Sequence, residues 1–169
     1  REQIADLAAA GIHVDCFGFG WPSGPVEADR IPEIMNDSFI SLNFAQSTGV
    51  NQLKARTFEI PGAGSLLFTE PANHLEDFYK EGEEIVLFRN LPDLIDRIRH
   101  FQNRPEKRHE IALAGFRRTR DQHTYENRLS QVIPFAISAQ EWYKNRPEAT
   151  AAVSFSKALK RLTARSCST

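Results

Sequence analysis

The sequence predicts a single α/β domain with a mainly parallel sheet covered by helices on both faces, followed by a helical tail. Three observations carry this. Short apolar runs alternate with amphipathic stretches along roughly the first 100 residues. The runs are apolar throughout, as strands buried on both faces are. From about residue 105 onward the pattern is helical alone.

In chain order, "REQIADLAAAG" places Ile4, Leu7 and Ala8 at helical spacing and closes on Gly11. "IHVDCFGFG" reads as a strand ending in glycines. A Pro- and Gly-rich loop follows, then a helical turn at "IPEIMNDS" and a buried strand at "FISLNFA". "QLKARTFEIPGAG" is the next helix, with Leu53, Ala55 and Phe58 inward, and "SLLFTE" the next strand. "HLEDFYKEG" reads as helix and "EEIVLF" as strand. "LPDLIDRIRHFQ" sets Leu91, Leu94, Ile95 and Ile98 on one helical face. "PEKRHEIALAGFRRTRDQ" and "TYENRLSQVIPFAIS" complete the helices. Strands separated by helices need crossover connections, which parallel pairing supplies. The expected division is a domain over 1–136 and a C-terminal helix with a frayed tail over 137–169.

Composition narrows the function classes. The chain has 169 residues, 41% of them hydrophobic and 25% charged, with a formal net charge of -1. That balance gives no electrostatic reason to expect a nucleic-acid partner. No apolar run approaches the roughly 20 residues of a membrane span, and no signal peptide opens the chain, so a cytoplasmic protein is expected. Cys16 lies in an apolar run and Cys167 in a Ser/Thr-rich tail, so two free thiols are expected, with no metal-ligand spacing.

Open parallel sheets bind ligands beyond the carboxyl ends of their strands. Three loops therefore matter: "GFGW", "AQSTGVNQ" and "TEPANH". "STGVNQ" is small, polar and glycine-containing ahead of a helix, which suits either a phosphate on free backbone N–H groups or an ordinary helix cap. Arg56 and Glu59 are helical i,i+3 neighbours. They form either a surface ion pair or a functional pair, Arg56 toward phosphate oxygens and Glu59 toward ribose hydroxyls. Lys54 is a second candidate cation. Glu70 ends a strand on the same edge, either as an exposed carboxylate or as a contact to ligand. His123 and Tyr125, ahead of a helix, read as cap and packing.

"RTFEIPGAGSLLFTE", with "FYKEGEEIVLFRNLPDLIDRIRHFQNRPEKRHEIALAGFRRTRDQHTYENRLSQVI", resembles the C-terminal domain of group 1-type glycosyltransferases, in the branch typified by spore-maturation protein CgeB. The resemblance covers about residues 1–133. It implies a GT-B architecture, in which this Rossmann-like half holds a nucleotide-diphosphate sugar and a separate N-terminal domain presents the acceptor. It implies no bound metal and no cofactor, because basic side chains and backbone N–H groups take up the diphosphate charge. Related enzymes line the donor site with two glutamates eight positions apart. Glu59 matches the second; the first falls on Asn51, which supplies hydrogen bonds without negative charge. The implied site places Thr48, Gly49 and Asn51 at diphosphate and sugar, and the base against the backbone of Phe19 and Gly20, with Trp21 either beside it or packed.

The family domain normally opens with a strand ahead of the first helix. Its absence predicts little sugar transfer by these residues alone. It also predicts a hydrophobic sheet edge that favours homodimerisation or strand exchange. The alternative to a donor-binding half is a non-catalytic nucleotide-binding or protein-interaction module of the same origin, which Asn51 favours. An epimerase or phosphorylase on this fold is a third reading, and the cofactor-lysine context of a phosphorylase is not visible.

Overall fold

Three short strands set the frame. In the computed structural model, which describes residues 1–44 and 52–146, β1 (Ser41–Asn43), β2 (Leu67–Thr69) and β3 (Val86–Leu87) pair side by side in that order, all parallel. Leu42 lies opposite Phe68, and Phe68 opposite Val86. The helices are α1 (Glu2–Ala9), α2 (Ile31–Asp37), α3 (Arg56–Gly62), α4 (Leu91–Gln102), α5 (Pro105–Gln122) and α6 (Tyr125–Lys144). This is the Rossmann-like α/β layering expected from the sequence.

Successive side chains of a strand point to opposite faces, so one strand serves two cores. Leu66 and Phe68 join Leu7 of α1, Leu94, Ile98 and Phe101 of α4, and Ile111 of α5. Leu67 turns the other way and packs with Ile60 of α3, Leu75, Tyr79 and Ile85. The sheet is thus covered on both faces, which is why its apolar runs show no polar alternation.

Caps fix the helix starts. The Asn90 side chain accepts the Asp93 N–H at 2.9 Å, and Pro92 sits in the first turn of α4, where its missing N–H costs nothing. Thr124 caps α6 in a reciprocal box with Asn127. On α5 the buried stripe is Ile111, Ala112, Gly115 and Thr119. Gly115 is required there: a Cβ would sit 2.4 Å from the Glu84 carbonyl oxygen.

Four expectations need correction. The segment 12–17 forms no ladder. Ile12 is buried and Val14 packs against the first core, while His13 and Asp15 face outward and pair at 3.1 Å, so the alternation is real. Among the described residues no strand pairs with it. The helix expected from Gln52 starts only at Arg56, because Leu53 turns in to pack on the second core. Its inner side is Thr57, Ile60 and Pro61, with Phe58 half-buried and Ala55 exposed. The helix expected over 74–82 shrinks to one 3-10 turn, Leu75–Asp77. There the Lys80 N–H donates to the Glu84 carboxylate at 2.9 Å, and Gly82 reverses the chain at φ +78°.

The chain divides into two compact units, Arg1–His123 and Thr124–Thr169. The division expected after residue 136 falls inside α6.

Candidate functional site

The carboxyl ends of β1 and β2 meet α3 through three buried polar side chains. The Asn43 side-chain amide donates to Thr69 Oγ1 at 3.1 Å and reaches Thr57 Oγ1 at 3.5 Å. All three are at most 7% exposed. Buried polar groups are stable only when paired, so this triad ties the first turn of α3 to the strand ends.

Arg56 and Glu59 stand on that tethered turn. Their side chains pair at 3.4 Å and are about half exposed, 48% and 51%. An ion pair this open contributes little to stability, about 0–1 kcal/mol, and leaves both groups within reach of solvent and ligand. Lys54 lies just ahead of α3 and is half-buried. Glu70 directly follows β2, half-buried, and its carbonyl accepts the Thr69 hydroxyl at 3.3 Å. Arg56 and Glu59 thus stand on the turn that the triad ties to the strand ends, Glu70 directly follows one of those ends, and Lys54 precedes α3. Thr48, Gly49 and Asn51 lie outside the described residues.

The "GFGW" loop closes on itself, Gly18 N–H to Gly24 carbonyl at 2.7 Å and Trp21 N–H to Gly18 carbonyl at 3.2 Å. Gly20 takes φ +82°, a left-handed conformation that suits glycine. Its carbonyl accepts the Arg1 guanidinium at 2.6 Å, and that guanidinium also lies 5.4 Å from the centre of the Trp21 ring. Phe19 is 92% exposed. An open hollow beside this loop is lined by Phe17, Pro25, Val26, Arg30 and Ile34, and touches neither Phe19 nor Gly20.

The histidines sort into packing and surface roles. His123 is half-buried among the rings of Phe58, Phe78 and Tyr79, at 5.3–5.6 Å, with Nε2 3.0 Å from the Phe78 carbonyl. Thr124 is the cap, and Tyr125 is exposed. His74 pairs at the surface with Asp77 at 3.2 Å, a partner not apparent from the sequence. Cys16 is a free thiol whose pKa is raised, first by burial and then by the neighbouring Asp15 carboxylate. Among the described residues no three or more His, Cys, Asp or Glu gather as a metal site. No described helix is long and apolar enough to cross a membrane.

Sequence reasoning missed Asn43, Thr57 and Thr69. A signal was present for two of the three: Asn43 interrupts the apolar run "FISLNF" and Thr69 ends "LLFT", and each closes a strand, whereas Thr57, between Arg56 and Phe58, carries none.

The chain belongs to the glycosyl transferase-like family, whose model matches residues 1–134. Among solved structures it is similar to sucrose-phosphate synthase from Thermosynechococcus elongatus, with a TM-score of 0.58 and 12% identity over 69% of this chain. At that identity the likeness shows the fold, a Rossmann-like domain of the GT-B class. The chain spans 30% of the length of that synthase. No curated protein matches.

Proposed function

We propose that this chain is the donor-binding half of a glycosyltransferase, holding a nucleotide-diphosphate sugar at the end of its sheet where β1 and β2 meet α3. The observation that carries the reading is the open Arg56–Glu59 pair, set on a turn that the Asn43–Thr57–Thr69 triad fixes to the strand ends. Glu59 accepts from the ribose hydroxyls. Arg56, with Lys54, neutralises the diphosphate, so its departure as leaving group costs less. Thr48, Gly49 and Asn51 face diphosphate and sugar, Glu70 reaches the sugar, and the backbone at Phe19 and Gly20 receives the base. The diphosphate charge is met by protein groups, without a metal or cofactor. The acceptor is positioned by a separate domain.

One observation favours the second reading, a non-catalytic module. The Gly20 carbonyl, assigned here to the base, is already taken by Arg1.

Calorimetry with uridine, guanosine, thymidine and cytidine diphosphates decides between them, on this chain and on Glu59→Ala. One diphosphate is expected to bind, and Glu59→Ala to weaken it by roughly 1–3 kcal/mol, about 5- to 150-fold in Kd. Equal binding by both proteins removes Glu59 from the site. No binding of any diphosphate, to this chain or to one extended by a preceding strand and acceptor domain, leaves the second reading.

A further inference from the structure

The hollow beside the "GFGW" loop encloses about 470 Å³, within the roughly 300–1,000 Å³ of small-molecule sites. Its wall is chemically mixed. Phe17, Val26 and Ile34 are apolar, while Glu27 and Arg30 bring opposite charges to the same space. Phe17 is 43% exposed, so part of its ring is open to a planar ligand. Among the described residues the Glu27 carboxylate has no hydrogen bond or ion pair. The Arg30 guanidinium is held only by an exposed pair with Glu33 at 3.4 Å, which a ligand can displace at little cost. The Arg30 N–H bonds the Glu27 carbonyl at 3.1 Å, which keeps the two residues within one turn of each other.

The topology sets this hollow at the same end of the sheet as Arg56 and Glu59. α2 leads into β1 and α3 leads into β2, and the two strands run parallel. The helices also end together: a Cβ on Gly64, just past α3, would lie 3.1 Å from Asn36 Oδ1 near the end of α2. Their starts therefore both lie toward the carboxyl ends of the strands, where the triad holds the first turn of α3. Arg30 immediately precedes α2, and α2 packs on α3. Packed helices stand about 8–10 Å apart, a gap that one nucleoside bridges.

Given a donor-binding half, we propose that the hollow receives the base of the nucleotide and that this base is guanine. The base passes the loop backbone at Phe19 and Gly20 and lays its ring on Phe17. Glu27 accepts from guanine N1–H and from the N2 amino group, two neighbouring donors that match the two oxygens of a carboxylate. Arg30 donates to O6 and N7 on the adjoining edge, the bidentate pairing of a guanidinium with guanine. The pyrimidines do not fit this pair of charges. Uracil and thymine offer one N–H flanked by two carbonyls, which repel the carboxylate, and cytosine offers one amino group beside a bare ring nitrogen.

Calorimetry with guanosine and inosine diphosphates tests it, since inosine lacks only the N2 amino group. Guanosine diphosphate is expected to bind about tenfold more tightly than inosine, uridine, thymidine or cytidine diphosphate. Glu27→Ala, at an exposed position, is expected to bind the two purine diphosphates alike. Glu59→Ala is expected to weaken both by the same factor. Tighter binding of another diphosphate overturns the guanine site, as does a guanosine preference that Glu27→Ala leaves intact. If Glu59→Ala still weakens that binding, the donor-binding half stands without the guanine site. No binding of any diphosphate, to this chain or to one extended by a preceding strand and acceptor domain, overturns both.

Discussion

Two consecutive helices make opposite use of similar lengths. α5 has 18 residues and is rich in charge, yet it buries Ile111, Ala112, Gly115 and Thr119 in a narrow stripe; α6 has 20 residues and more apolar side chains, yet buries none. The difference lies in fit rather than in hydrophobic content. Gly115 brings the α5 backbone against the Glu84 carbonyl. Thr119 then closes the contact, accepting from the Tyr79 hydroxyl at 2.7 Å while donating to the Gly115 carbonyl at 2.8 Å. Small residues at the crossing point let one helix dock.

The largest test of that contrast compares two phenylalanines. Phe68 is fully buried and Phe135 is 76% exposed. Phe68→Ala is expected to cost about 3–5 kcal/mol in urea unfolding, and Phe135→Ala no more than about 0.5 kcal/mol. Similar losses at both sites would mean that Phe135 is not exposed in the folded chain.

Gly115→Val sharpens the point about fit. The added side chain meets backbone, which cannot swing aside, so a loss of about 1–3 kcal/mol is expected despite the better helix propensity of valine. A neutral result would show that α5 can move away from the 80–84 turn at little cost.

Asn43→Ala probes the buried triad that holds α3. The substitution strips two threonine hydroxyls of a donor in a site without solvent, an expected loss of about 1–2 kcal/mol. If α3 is tethered through this triad, nucleotide binding at Arg56 and Glu59 weakens in the same variant. Unchanged binding would mean the turn is held by Ile60 and Pro61 alone.

How far the sequence revealed these features follows from their physics. Both faces of the sheet, the positions of α4 and α5 and the parallel order come from periodic burial, and periodicity is written in the residues. Length of pairing is not: Ile12 and Val14 alternate as a strand does, but a ladder also needs hydrogen bonds to a partner in register, and none of the described strands pairs with them. Lys54 and Leu53 read as helix because their spacing allows it, while Leu53 is drawn instead into the second core. At the site, Arg56 and Glu59 were legible as an i,i+3 pair. The Asn43–Thr57–Thr69 triad was not, because it joins positions 14 and 26 residues apart that only the fold brings together.

The smallest expected effect lies at the start of α4, where electrostatics rather than packing fixes an element. Asp93 accepts the Arg89 N–H at 2.9 Å and the Arg97 guanidinium at 2.8 Å, and its pKa is lowered from the ordinary 3.8, first by the backbone bond and then by Arg97. A carboxylate held more acidic in the folded state stabilises it at every pH above its unfolded value, and that contribution fades as pH falls through the folded value. Asp93→Asn keeps the shape but loses the charge at the positive end of the helix, an expected cost of about 0.3–1 kcal/mol at pH 7 and low salt. The gap should start to close as pH falls past the unfolded value of 3.8 and vanish only below the lower folded value, where Asp93 itself becomes neutral. Unfolding midpoints for both, measured from pH 7 down to pH 2, check this. A gap that persists at the acid end would assign the loss to hydrogen-bond geometry rather than to charge. A gap that is absent at pH 7 would leave Asn90 and Pro92 as sufficient to start α4.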